Sequence, residues 1–162
     1  MGNNTKLTLS LLALLNLSAC SSTQLISFSV IKESNQCQES DARISYLKTV
    51  DDQNRFIKNY SLFKLPDASQ ELRALFNQHS GTEKLFLIAL GRQPTAGFGF
   101  NIQDTKGSLT NNILSLPITF TSPDPASMRA QMTTSPCLIV GVDSEVQYQR
   151  LIVDKLELSI SK

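Results

Sequence analysis

Few residues in this chain are of the types that make and break bonds. There is one histidine, His79, followed by Ser80. An imidazole can move a proton near neutral pH, but catalysis needs a nucleophile or carboxylate aimed at it. His79 instead closes an amphipathic stretch, where a histidine most often stands as a C-terminal helix residue. Asp51 and Asp52 are adjacent carboxylates. Adjacent residues on a helix point in different directions, so the pair reads as the acidic first turn of a helix rather than an acid/base couple. Asp143, Glu145 and Asp154 are scattered and read as solvated. No His/Cys group has metal-ligand spacing, there is no H-E-x-x-H, and no serine stands in a Gly-x-Ser-x-Gly elbow. The sequence thus offers no catalytic residue, no metal site and no cofactor site, and a non-enzymatic protein is expected.

The cysteines carry more information. Cys20 ends the run Leu17-Ser18-Ala19-Cys20. An n-region with Lys6 precedes it, then an h-region from Leu7 to Leu17 that is apolar apart from Thr8, Ser10 and Asn16. That stretch is too short to span a bilayer and has the form of a cleaved leader. Small residues before the cut let a peptidase hold an extended backbone, and the Cys thiol accepts diacylglycerol, so the run looks like a bacterial lipobox. Residues 1–19 are then the leader and Cys20 the lipidated N-terminus. Several acyl chains at about 0.8 kcal/mol per buried CH₂ make a stable anchor. Ser21 and Ser22 follow in place of the Asp that favours inner-membrane retention. In a bacterium with two membranes this points to the periplasmic face of the outer membrane rather than to the inner membrane. With Cys20 consumed, Cys37 and Cys137 remain, an even number in an oxidising compartment. A Cys37–Cys137 disulfide is expected; the alternative is two buried free thiols.

A third group of residues could bind rather than react. Arg92, Gln93, Pro94, Thr95, Gly97 and Phe98 fall within seven positions. Before them, Leu85 to Leu90 is an apolar run of strand length. After them, Phe98, Phe100 and Ile102 alternate with Gly99, Asn101 and Gln103. Gly91 allows positive φ, and Pro94 fixes φ and removes an N–H. The stretch KLFLIALGRQPTAGFGFNIQ is therefore expected to form strand, tight loop, strand, a structural hairpin. No Lys-Ser/Thr follows the glycines, so it is no phosphate cradle.

The same residues carry a resemblance. Gly91, Arg92, Pro94, Thr95, Gly97 and Phe98 resemble the core motif of the PrcB family, protease-complex subunits of bacterial lipoproteins. Ala96 stands where that family prefers Gly, which narrows the loop's backbone freedom. Phe98 stands where it prefers Tyr, which removes a phenolic hydrogen-bonding group. Downstream, Arg129 to Pro136 is similar to the family's Ala/Gln-x-x-Thr-x-Pro segment, followed by the apolar strand Leu138 to Val142. Cys137 replaces what is more often an aromatic there, a replacement that a paired cysteine explains. The resemblance spans about Leu85 to Val142. It implies a protein partner, of the secreted or surface protease class, that such a subunit stabilises or helps to mature. Pro94 to Phe98 also resembles the NPTTG[YF] loop of chagasin-type cysteine-protease inhibitors. The two further loops that those inhibitors need are missing: Gly107 stands alone, and Arg129 is followed by Ala130.

Other elements must hold these residues in place. Leu25 to Lys32 reads as a strand with Ile26, Phe28 and Val30 on one side, and Asn35 to Asp41 as polar turn. Ile44 to Val50 reads as a second strand. Thr49 can cap a helix from Asp51 to Tyr60, with Phe56, Ile57 and Tyr60 at helical spacing. Pro66-Asp67 opens a second helix, Ala68 to Gln78, with Leu72, Leu75 and Phe76 on one face. Past the alternating stretch that ends at Gln103, Ser108 to Asn112 reads as a turn. Ile113 to Thr121 reads as an edge strand because of Pro117, and Ser122 to Pro125 as a rigid loop. Leu138 to Val142 and Leu151 to Ile160 read as the last strands. The expectation is an α+β domain, a mostly antiparallel sheet with one or two N-terminal helices packed on it, after the leader. Residues 20–34 would be the anchored N-terminus and first strand, and residues 35–162 a PrcB-like domain.

Charge narrows the partners. Fifteen Lys/Arg against 14 Asp/Glu leave a net charge of +1, dispersed along the chain. No basic face points to nucleic acid, and nothing points to a small-molecule substrate. The expected function is an envelope-anchored, non-catalytic accessory or binding subunit. The alternatives are a chagasin-like inhibitor and a structural envelope lipoprotein.

Overall fold

A computed structural model describes residues 22–61, 67–126 and 130–160. The expected leader, residues 1–19, and with it Cys20, Pro66 and Arg129, lie outside the described residues. Ten strands and two helices follow in the order β1 (Gln24–Ser34), β2 (Ala42–Tyr46), α1 (Val50–Ser61), α2 (Asp67–His79), β3 (Glu83–Leu90), β4 (Gly99–Ile102), β5 (Lys106–Thr110), β6 (Ile113–Leu116), β7 (Ile118–Thr121), β8 (Cys137–Asp143), β9 (Arg150–Val153) and β10 (Leu156–Ser159). This is the expected α+β domain, with two helices preceding most of the strands.

Eight strands form one sheet in the order β10-β9-β6-β5-β1-β8-β3-β2, and β4 pairs with β7 in a second, small sheet. All pairs are antiparallel except β6 with β9. The large sheet curls until its terminal strands β2 and β10 lie beside each other. Its concave face holds one core, including Ile26, Phe28, Phe86, Ile88, Leu114, Leu138, Val140, Leu151 and Val153. A second core lies on the convex face, where Leu85, Leu87, Ala89 and Ile139 meet Phe56, Ile57 and Tyr60 of α1 and Leu72 and Phe76 of α2. β3 feeds both. Its alternate side chains go to opposite cores, so Leu85 to Leu90 is buried throughout and reads as an unbroken apolar run.

The helices form where the sequence places them. Thr49 Oγ1 accepts the Asp52 N–H at 3.1 Å, and Asp52 Oδ2 accepts the Thr49 N–H at 3.0 Å and its hydroxyl at 2.7 Å. This reciprocal cap satisfies donors that the first turn leaves open. These bonds hold the Asp52 carboxyl below its ordinary pKa. Phe56 and Phe76 meet edge-on at 6.2 Å between ring centres. Arg73 of α2 also donates to Asn54 Oδ1 of α1 at 2.6 Å.

Several strand expectations are corrected. β3 and β4 are no hairpin: β3 lies between β8 and β2, and β4 pairs with β7. Both edges of β3 are already used, so the chain leaving it has no ladder to fold back onto. The second strand ends at Tyr46, and Val50 begins α1, since the Thr49 cap starts the helix there. Residues Lys106–Thr110 are strand, and only Asn111 and Asn112 turn, with φ of 52° and 62°. Two positive φ values in a two-residue loop suit the twist of a hairpin, and Asn tolerates them.

Pro117 marks no edge. It separates β6, inside the large sheet, from β7 in the small one, and its carbonyl accepts the Gln103 N–H at 3.0 Å. The last segment is a hairpin, β9 and β10, turning at Asp154 and Lys155. Asp154 is more than solvated, since its Oδ2 accepts the Phe120 N–H at 3.0 Å and ties that turn to β7.

In β1 the alternation breaks. The register with β8 shifts between Val30 and Lys32, and Val30 is left 41% exposed. Lys32 then stands opposite Ile139 and reaches Glu71 of α2 at 2.6 Å. β1 itself pairs with β5 through its first half and with β8 through its second, so it lies in the middle of the large sheet.

Cys37 and Cys137 are joined in a disulfide across a sequence separation of 100 residues. Both are buried in the helix-side core. The bridge ties the segment after β1 to the start of β8. Replacing both cysteines by Ala is expected to lower stability by about 2–5 kcal/mol. Denaturant unfolding of the two proteins, compared without reductant, measures this.

Candidate functional site

The loop from Gly91 to Phe98 leaves the C-terminal end of β3 and is held along its length by neighbouring backbone. Leu90 N–H donates to Pro136 O at 2.9 Å, and Arg92 N–H to Ser40 O at 3.2 Å. Gln93 and Thr134 exchange both backbone bonds, at 2.8 and 3.0 Å. The Thr134 hydroxyl donates to Thr95 O at 3.2 Å, and Ala96 N–H to Ala130 O at 3.2 Å. Gln93 also turns its side-chain amide back onto Leu90 O at 2.7 Å. A loop with this many fixed backbone groups keeps one shape.

The frame around the loop is itself tied down. Cys37 N–H donates to Ser135 O, and Ser135 N–H to Asn35 O, both at 2.9 Å. The Ser135 hydroxyl donates to Glu39 O at 2.8 Å, and Arg43 pairs with the buried Glu39 carboxylate. Of the two segments that grip the loop, 35–41 contains Cys37, and 130–136 runs directly into its disulfide partner Cys137. The bridge and the loop, two separate features of the sequence, are thus mechanically connected.

Two glycines give the loop its path. Gly91 has φ +70°, and a Cβ there would stand 2.8 Å from both the Asp41 carbonyl carbon and the Ala42 nitrogen. Gly97 has φ +100°. Both lie in the region that disfavours L side chains. Outward from this frame, Arg92, Pro94 and Gly97 are exposed, and Gln93, Thr95, Ala96 and Phe98 are half-buried. Phe100 leaves the loop for the concave core, where it meets Phe120 edge-on at 5.9 Å.

The exposed Met132, with 51% of its surface accessible, stands two residues from Thr134 on the strip that grips the loop. Its only signal in the sequence is an apolar residue between the polar neighbours Gln131 and Thr133, too little to single it out.

The structure also assembles a group that the sequence did not suggest. Glu83, at the start of β3, accepts the Ser29 hydroxyl at Oε1 (2.9 Å), and His79 Nδ1 lies 2.5 Å from its Oε2. Activating a serine needs the imidazole next to the hydroxyl with the carboxylate behind it. Here the carboxylate stands between the two, so the imidazole has no hydrogen bond to Ser29. The group instead joins the end of α2 to β3 and β1. Among the described residues, no three of His, Cys, Asp and Glu are grouped to hold a metal ion.

Residues 85–143 match the family described as PrcB C-terminal, just over a third of the chain. The matched segment runs from β3 through β8 and includes the whole loop. Comparison with curated proteins and with solved structures gave no significant match.

The loop geometry separates shape from contact. Gly91→Ala is expected to destabilise by about 2–4 kcal/mol, from a strained φ together with a backbone clash. Gly97→Val should destabilise by about 1–2 kcal/mol. Arg92→Ala should stay within about 0.5 kcal/mol of the parent, as surface changes usually do. Thermal or urea unfolding of the three variants gives the comparison.

Proposed function

We propose, with the PrcB C-terminal match of residues 85–143 as premise, that this protein is a non-catalytic accessory subunit of the bacterial envelope. In this reading it binds and stabilises, or helps to mature, a secreted or surface protease. The observation that supports it is the loop itself. Its backbone is fixed from both sides, it is backed by a disulfide-joined frame, and it presents Arg92 beside Pro94 and the half-buried Phe98. Arginine and aromatic side chains most often dominate protein interfaces, and a preformed loop loses little entropy on binding. Arg92 would supply a charged fork and Phe98 an apolar surface. Gln93, Pro94, Thr95 and Gly97 would hold the loop's shape.

A lipid anchor completes this picture. Cys20, lipidated by diacylglycerol, would tether the domain to the periplasmic face of the outer membrane, with no other cofactor. The first described strand starts at Gln24, so the tether between lipid and sheet would be short.

Two measurements test these parts. Cys20→Ser should abolish acyl labelling and partition into detergent; continued labelling of that variant would overturn the anchor. Pull-down from membranes should recover a protease whose activity rises with the lipoprotein. Arg92→Ala should weaken that association by more than about 1 kcal/mol. A captured protease whose activity is blocked would support the inhibitor alternative instead. Unchanged association of Arg92→Ala would place the binding face elsewhere.

A further inference from the structure

A second surface lies at the opposite end of β3. The large sheet is rolled but not closed: its terminal strands β2 and β10 lie side by side, and each is hydrogen-bonded to a neighbour on its other edge only. An open groove of about 810 Å³ lies at this seam. Tyr46, Tyr148 and Ile160 give it apolar surface, and Lys48, Lys84 and Arg150 give it charge. Among the described residues, none that lines it is acidic.

The charges are placed by the fold. Lys84 donates to Val146 O at 2.5 Å, and its Nζ stands 5.2 Å from the centre of the Tyr148 ring. Partial burial pulls its pKa down, and Asp143 opposes this. Arg150 is bonded to Glu157 Oε1 at 3.1 Å, an exposed pair that is easily exchanged for another anion. Lys48 is exposed at the rim. Tyr148 is buried, with 8% of its surface exposed, and its hydroxyl has no hydrogen-bond partner among the described residues.

We propose that this seam binds an acidic peptide segment of a protein partner, its carboxylates against Lys48, Lys84 and Arg150 and its apolar side chains against Tyr46 and Ile160. Charge complementarity selects the acid: three cations line the groove, and no acidic residue does among the described residues. β2 and β10 approach within 8 Å between Cα atoms, too close for a further strand between them, so the peptide is held in the groove by side chains. Lys84 and Leu90 are six residues apart along β3, about 20 Å at strand rise, so the seam is a separate surface from the Arg92 loop. It stands whether or not the loop binds a protease.

The probe is a fluorescein-labelled pentapeptide alternating leucine and glutamate, titrated by anisotropy against the full-length protein in neutral detergent. The control is the same peptide with glutamine for glutamate. The acidic peptide should bind at least about tenfold more tightly, and its affinity should fall with added salt. The double variant Lys48→Glu, Arg150→Gln changes two exposed side chains without setting a second carboxylate against Glu157 and should lose about tenfold in affinity at an unchanged unfolding midpoint. Lys84→Gln serves as a second variant with the same expected loss. Equal binding of the glutamine peptide, or full affinity in the double variant, overturns the proposal. So does Lys48- and Arg150-dependent binding to phosphatidylglycerol vesicles with no peptide binding, which would make the seam a membrane-facing patch.

Discussion

The structure depends on one strand being buried on both of its faces. Leu85 to Leu90 has no polar side to give to water, so the chain must cover it twice. Leu85, Leu87 and Ala89 are covered by the helix pair, Phe86 and Ile88 by the opposite wall of the curled sheet. Each fully buried Leu, Ile or Phe contributes about 1.5–3 kcal/mol of transfer free energy, so few other segments of this length bring as much to the fold. β8 lies beside β3 with the same property, from Cys137 to Val142. Together they form a spine between two cores.

That spine explains why function is expected at its ends. A strand buried on both faces has no surface for a partner, but the chain must leave it somewhere. At the C-terminal end it leaves through Gly91, in a conformation that crowding by Asp41 and Ala42 reserves for glycine. The loop that follows inherits the rigidity of the spine through bonds to Ser40, Thr134 and Pro136. At the N-terminal end, Glu83 and Lys84 emerge beside the unclosed seam. A rigid sheet thus holds two surfaces of different chemistry, one a shaped loop with an arginine and an aromatic, the other a cationic groove.

The disulfide belongs to this logic as well. It joins Cys37, just past the central β1, to Cys137, the first residue of β8. Burial of both sulfurs among Leu47, Leu87 and Ile139 makes the bridge part of the helix-side core rather than a surface staple. Its position next to Pro136 and Ser135 places the cross-link where the loop is gripped. Stability and loop geometry are therefore coupled through the same few residues.

Local chemistry was legible in the sequence wherever neighbours in the chain decide the outcome. The Thr49 cap and the apolar spacing of Phe56, Ile57, Leu72 and Phe76 specified both helices within a residue or two, because helix hydrogen bonds and caps are local. The β3 run, the glycine-dependent turn after it and the pairing of Cys37 with Cys137 were legible for similar reasons, since composition and residue count constrain each of them. Partner strands were not. Whether Ile113 to Thr121 is one strand or two, and whether β4 returns to β3 or meets β7, depends on which edges remain open after distant segments have paired. Val30 shows the same limit: alternation places it inward, and the register shift against β8 leaves it exposed. The seam is the clearest case. Tyr46, Lys84 and Tyr148 lie far apart along the chain, and only the curl that brings β10 beside β2 gathers them into one groove.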